Sequence, residues 1–109
     1  MAKRADPAGQ AYNTSKAGLV QLSRTLAVAW AADNIQVNAV LPGFIDTEMT
    51  RQGRQAMPDL NDSVLRRTPA GRWGTPSDLA GVAIFLASDA SNFVTGSSVD
   101  VDGGWSVRA

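Results

Sequence analysis

The sequence predicts an α/β fold in which one long helix precedes two short parallel strands. Three observations carry that expectation. Residues 12–33, YNTSKAGLVQLSRTLAVAWAAD, keep a helical apolar period with no proline to break it. Residues 35–41, IQVNAVL, alternate in polarity and stop at Pro42-Gly43, as a strand does. Residues 97–101, SSVDV, repeat the strand signature after a segment that contains a strong helix start at Thr75-Pro76-Ser77-Asp78. A strand, a crossover holding a helix and a second strand make the two strands parallel neighbours with a right-handed connection.

Stepping through residues 12–33 from Leu19 puts Tyr12, Lys16, Ser23, Leu26 and Trp30 on one stripe. That stripe is expected to face a sheet. The opposite side, Thr14, Ala17, Gln21, Thr25, Val28 and Ala32, is small and weakly polar, with Arg24 the only charge beside it. A solvated face carries more charge, so this side is expected to be packed too, by another helix such as one from a second copy. The helix should end near Asp33-Asn34, because Asn tolerates the left-handed conformation that closes helices. Its length would be roughly 30 Å.

Ten basic and ten acidic residues cancel in a chain of 109, and no basic run resembles a phosphate-binding stripe, so no nucleic-acid partner is expected. The chain has neither cysteine nor histidine. A disulfide framework, a thiolate metal site and a Ser-His-Asp triad are therefore excluded. With no apolar leader and no span long enough to cross a bilayer, a soluble cytoplasmic protein is the expectation, with no membrane partner.

Residues 1–11 are polar, contain Pro7 and Gly9, and read as a leader loop. Residues 12–109 form the α/β part. Pro42-Gly43 should break the first strand, and Phe44-Ile45-Asp46-Thr47 follows at its carboxyl end, the edge where open α/β sheets bind ligands. Residues 47–68 hold weak apolar faces and suit one or two short helices; so long an excursion commonly serves as a lid. Arg66 and Arg67 read as a solvated helix end. Thr75 as N-cap, Pro76 at the first helical position and Asp78 at the third start a helix over residues 76–87. Leu79, Val82, Ala83 and Leu86 form its buried stripe, flanked by Ile84 and Phe85. Residues 88–96 read as a loop, Asp102-Gly103-Gly104 as the close of the second strand, and residues 105–109 as a tail.

Tyr12 and Lys16 stand four residues apart, hence on one helix face a turn apart. An ordinary phenol ionises near pH 10, and a cation held beside it favours the phenolate. Such a pair can pass a proton to or from a carbonyl or alcohol oxygen. On its own, Tyr-x-x-x-Lys more often marks a core-capping tyrosine beside a surface lysine, since short motifs match freely by chance.

The motif does not stand on its own. YNTSKAG at Tyr12, IQVNAVLPGFIDTEM at Ile35, RWGTPSDLAGVAIFLASDASNFVTG at Arg72 and VDVDGGW at Val99 occur in order. With that set the chain resembles the C-terminal part of a short-chain dehydrogenase/reductase, a Rossmann-type doubly wound fold, and it is similar to bacterial members related to 3-oxoacyl-carrier-protein reductases. The resemblance implies NAD or NADP as cofactor and a small-molecule alcohol or carbonyl as substrate. Tyr12 would be the catalytic acid/base. Lys16 would favour its phenolate and bind the nicotinamide-ribose hydroxyls. Pro42, Gly43 and Ile45 would line the nicotinamide, with the Ile45 backbone and the Thr47 hydroxyl near its carboxamide. Residues 49–65 would form the substrate lid.

These 109 residues are expected to lack the N-terminal half that such a fold uses to hold a dinucleotide. No Gly-rich turn follows a strand and opens a helix, and counting a dozen residues back from Tyr12 to the family's serine leaves the chain. Alone, the chain is expected to be inactive or weak. The uncovered sheet edge and helix faces predict a homo-oligomer, or a complementing N-terminal Rossmann half. A noncatalytic assembly module is the alternative.

Overall fold

Helix α1 spans Pro7–Trp30 in the computed structural model, which describes residues 7–107. The reading of residues 1–11 as a loop is therefore corrected for 7–11; its first six residues lie outside the described ones. Proline suits the first helical position, because its missing N–H would find no partner there and its φ is preset. A 3-10 turn, Ala31–Asp33, continues α1 and ends at Asn34, whose φ of 58° and ψ of 39° are left-handed as expected. The Asn34 N–H closes the turn on the Ala31 carbonyl at 3.0 Å.

The chain divides into two units, one of Met1–Ala39 with Asn92–Ser98 and one of Val40–Ser91 with Val99–Ala109. In the first, the buried stripe of α1 is rotated from the expected one. Ser23 and Ala27 are buried and Lys16, Val20 and Leu26 half-buried, whereas Tyr12 is 51% exposed and Trp30 42%. The reason is a close approach of small residues: a Cβ placed on Gly96 would stand 3.5 Å from the Ala27 Cβ. The Ser23 hydroxyl is satisfied by donating to the Leu19 carbonyl at 2.9 Å. The opposite face is open, with Thr14, Ala17, Gln21, Thr25 and Ala32 exposed and Val28 82% so. Its expected packing does not occur among the described residues.

Strands β1, Ala39–Pro42, and β2, Ser98–Val101, form a two-stranded sheet. Ala39 N–H donates to the Ser97 carbonyl at 2.9 Å and Gly43 N–H to the Val101 carbonyl at 3.0 Å. Donor and acceptor advance together along the chain, so the pair is parallel, as expected. β1 begins four residues later than the alternation suggests, because residues 36–38 bond the 92–97 loop largely through side chains. Val37 N–H meets Thr95 Oγ1 at 3.1 Å. The Asn38 amide donates to the Val94 carbonyl at 3.0 Å and accepts the Ser97 N–H at 3.0 Å. Pro42 belongs to the strand and does not break it. Residues 39 and 43 face β2, so the N–H that proline lacks would point to the opposite edge.

The excursion forms two helices, α2, Glu48–Ala56, and α3, Pro58–Arg67, with Met57 as the hinge between them and Val64 only 1% exposed. Helix α4, Pro76–Ala87, has the expected bounds. Its start is fixed by the Thr75 N–H on Asp78 Oδ2 at 2.7 Å, and Arg72 holds the same carboxylate at 2.8 and 3.2 Å. Leu79, Val82 and Leu86 are half-buried, but Ala83 is exposed and Ile84 and Phe85 are 69% and 43% exposed. The α4 stripe is thus narrower than expected. A 3-10 turn, Asp89–Ser91, interrupts the predicted 88–96 loop, with the buried Ser91 hydroxyl 3.0 Å from the Ser88 carbonyl. Another, Trp105–Val107, replaces most of the predicted tail, because the Asp102 carboxylate takes the Gly104 and Ser106 N–H groups at 3.0 and 3.1 Å. The remaining two residues of that tail lie outside the described ones.

Candidate functional site

The expected site residues fall into two sets. Tyr12 and Lys16 belong to the first unit; Pro42, Gly43, Ile45 and Thr47 belong to the second. Tyr12 and Lys16 sit on successive turns of α1. The half-buried Lys16 lines an open groove with Asn13, Ala17, Val20, Gln21 and Arg24. The expectation that the phenol turns away from water is corrected: within this chain half of Tyr12 is open, because the helix buries Ser23 and Ala27 instead.

The second set is held tightly at the carboxyl end of β1. A Cβ on Gly43 would lie 2.7 Å from both Cα and Cβ of Asp102, so only glycine lets this strand end meet the turn after β2. Ile45 bridges Gly74 in parallel fashion: Asp46 N–H reaches the Gly74 carbonyl at 2.7 Å and Gly74 N–H the Phe44 carbonyl at 2.9 Å. Thr47 is the N-cap of α2. Its hydroxyl accepts the Thr50 N–H at 3.2 Å, and its own N–H donates to Thr50 Oγ1 at 2.8 Å.

Around this run lies a network that the sequence reading missed. Asp46 pairs with Arg51 at 3.0 Å and with Arg54. Hydrogen bonds from Arg51 and then Arg54 hold its carboxyl below the usual carboxylate range. The Arg54 guanidinium also lies over the Trp73 ring, 4.2 Å from its centroid, and the Trp73 indole N–H donates to Asn61 Oδ1 at 2.9 Å. Phe44 meets Trp73 and Trp105 edge-on at 5.8 and 4.8 Å, and Arg67 covers the Trp105 ring at 4.5 Å. Arg67 is therefore more than a solvated helix end. The one signal legible in advance was Thr47 and Thr50 at capping-box spacing. The aromatic partners are distant in sequence and leave no such trace.

A dinucleotide needs donors for its phosphates and for its nicotinamide. The phosphate end is not served by these residues. The α4 N-terminus is closed by the Asp78 carboxylate, and α2 has its own cap and Glu48 in its first turn. The nicotinamide end fits better: Ile45 and Thr47 are half-buried and follow the carboxyl end of β1, and Thr47 carries a hydroxyl. Among the described residues, no group of three or more His, Cys, Asp or Glu is placed to hold a metal ion. Nor is any described helix long and apolar enough to cross a membrane.

Comparison with known proteins shows the family to which this helix and its parallel strands belong. A family model described as enoyl-(acyl carrier protein) reductase matches residues 1–106. The chain belongs to the short-chain dehydrogenase/reductase family. It is 50% identical over 97 residues to the 2-dehydro-3-deoxy-D-gluconate 5-dehydrogenase of Dickeya dadantii (strain 3937), covering 89% of this chain and 38% of that one. It is 44% identical over 100 residues to the 3-oxoacyl-[acyl-carrier-protein] reductase of Thermotoga maritima, covering 91% and 39%. A solved structure from Agrobacterium tumefaciens with bound NADP, a candidate 2-deoxy-D-gluconate 3-dehydrogenase, superposes with a TM-score of 0.80 at 45% identity, covering 89% and 39%. The chain thus spans about two fifths of the length of the relatives it matches.

Proposed function

We propose that this chain supplies the proton-transfer part of an NAD(P)-dependent short-chain oxidoreductase acting on an alcohol or carbonyl, and that it is inactive or weak by itself. The observation that carries the reading is Tyr12 and Lys16 one turn apart on α1, in a chain of this family that also keeps Pro42, Gly43, Ile45 and Thr47 at the end of β1. In this reading Tyr12 gives a proton to the carbonyl oxygen during reduction and takes it back during oxidation. Lys16 stabilises the phenolate left behind and holds the nicotinamide-ribose hydroxyls. Pro42, Gly43 and Ile45 line the nicotinamide, and the Ile45 backbone and Thr47 hydroxyl meet its carboxamide. The cofactor, when bound, supplies or accepts the hydride. Helices α2 and α3 serve as the substrate lid. The names of the relatives support a keto sugar acid or polyol as substrate.

The phosphate-binding donors then come from a Gly-rich Rossmann half, joined in frame or separately encoded, and the reaction is cytoplasmic. Titration of NADPH into the chain alone should give no saturable binding up to about millimolar, whereas adding the Gly-rich half of a relative should restore keto-acid reduction. Saturable binding by the chain alone would show that its own residues suffice.

A second reading, a homo-oligomeric assembly module without catalysis, draws support from Val28 at 82% exposure and the fully exposed Phe93. Tyr12→Phe separates the two, since it leaves an assembly module unchanged.

A further inference from the structure

We propose that the Thr50 hydroxyl is a positioning group that fixes the hydrogen-bond polarity of the nicotinamide end of the site. The inference rests on the reading above that Ile45 and Thr47 meet the carboxamide. Thr50 stands half-buried in the first turn of α2, and its Oγ1 meets four groups at once. It accepts the Thr47 N–H at 2.8 Å. It lies 2.8 Å from the Ile45 carbonyl oxygen, 3.0 Å from the Thr47 carbonyl oxygen and 3.2 Å from Thr47 Oγ1.

A hydroxyl has one proton and two lone pairs. The proton goes to the nearest acceptor, the Ile45 carbonyl. One lone pair takes the Thr47 N–H. The second is left to receive the proton of the Thr47 hydroxyl, 3.2 Å away. Thr47 Oγ1 then has no proton to offer outward. One of its lone pairs holds the Thr50 N–H at 3.2 Å, and the other makes it an acceptor toward a ligand. The Ile45 carbonyl is held by the Thr50 hydroxyl, and the Ile45 N–H can donate to a ligand. An acceptor at residue 47 and a donor at residue 45 complement a primary carboxamide, which has an NH2 to give and an oxygen to receive. Without the Thr50 hydroxyl the Thr47 hydroxyl could present either polarity.

The experiment uses nicotinamide mononucleotide, which carries the nicotinamide end without the adenosine half, and follows the backbone amides of Ile45 and Thr47 by NMR in the chain mixed with the Gly-rich half of a relative. In the wild type the probe should shift both amides. Thr50→Val keeps the side-chain shape and removes the hydroxyl; it should weaken the response about five- to tenfold, the equivalent of one hydrogen bond. Exchange of the Thr47 amide in the free chain should quicken by a similar factor. Thr50→Ser should restore both readouts. Thr50→Cys, which also lacks the methyl group and donates weakly, should lie between them, and this pair decides the matter if Thr50→Val fails to fold. Wild-type behaviour of Thr50→Val or Thr50→Cys, or failure of Thr50→Ser to restore the response, overturns the role of Thr50 while the carboxamide assignment stands. A wild-type mixture in which the Ile45 and Thr47 amides ignore the probe removes that assignment and the role of Thr50 with it.

Discussion

Arg54 lies over Trp73, its guanidinium carbon 4.2 Å from the ring centroid, and the same guanidinium reaches the Asp46 carboxylate. One side chain of α2 thereby touches both the segment after β1 and the segment after α3. Trp73 is 8% exposed, so its ring face is largely out of water when Arg54 covers it. A cation over a desolvated ring contributes about 1–2 kcal/mol. Arg54→Ala should lower stability by about that much in urea denaturation, and Arg54→Lys by less. Trp73→Ala should cost about 3–5 kcal/mol, since it empties a core position.

Gly43 and Gly53 make a matched pair. An alanine at residue 43 would drive its Cβ to 2.7 Å from the Asp102 backbone, whereas at residue 53 nothing lies within 4 Å. Gly43→Ala should destabilise by about 2–3 kcal/mol. Gly53→Ala, inside α2, should stabilise by up to about 1 kcal/mol. Thermal midpoints of the two variants should move in opposite directions.

Two carboxylates set the acid response. Asp46 is held below its ordinary value of 3.8 first by Arg51 and then by Arg54. Asp78 is lowered by Arg72 first and then by the Thr75 N–H. A carboxylate with a lowered folded-state value adds stability above its unfolded value, and that stability is lost as pH falls through the folded value. Stability should therefore hold from neutral pH down to about 4 and decline below it. Asp46→Asn and Asp78→Asn should each flatten that decline in urea titrations across pH. Both groups are solvent-accessible, so salt should shrink the effect.

The open face of α1 predicts self-association. A gel-filtration mass above the 11.4 kDa of one chain is expected. Val28→Asp should return it to the single-chain value, because it puts a charge on that open face in place of its most exposed large apolar side chain. A wild type that elutes as one chain would argue against the oligomer.

Elements with a strong local signal were legible in the sequence. Thr75-Pro76 with Asp78 announced α4 to the residue, and Asn34 marked the end of α1 by its left-handed backbone. The parallel pairing of β1 and β2 followed from the crossover between them. What escaped depended on contacts far apart in the chain. The α1 stripe turned because Ala27 packs on Gly96, and β1 started late because Asn38 bonds Val94 and Ser97 with its side chain. Neither partner is visible from a helical or alternating period. The same holds for the site: spacing pointed to Tyr12 and Lys16 and could pair Thr47 with Thr50, but Trp73 as the ring beneath Arg54 and the reach of Thr50 to the Ile45 carbonyl emerge only in three dimensions.

The proton-transfer role of α1 is tested most directly by one ratio. Keto-acid reduction by NADPH is measured for this chain mixed with the Gly-rich half of a relative, with the wild-type chain and with Tyr12→Phe. Removal of a positioned acid should cut turnover about a hundredfold or more, leaving NADPH binding by the mixture unchanged. Equal turnover with phenylalanine at residue 12, or a mixture that binds NADPH and never reduces a ketone, would contradict it.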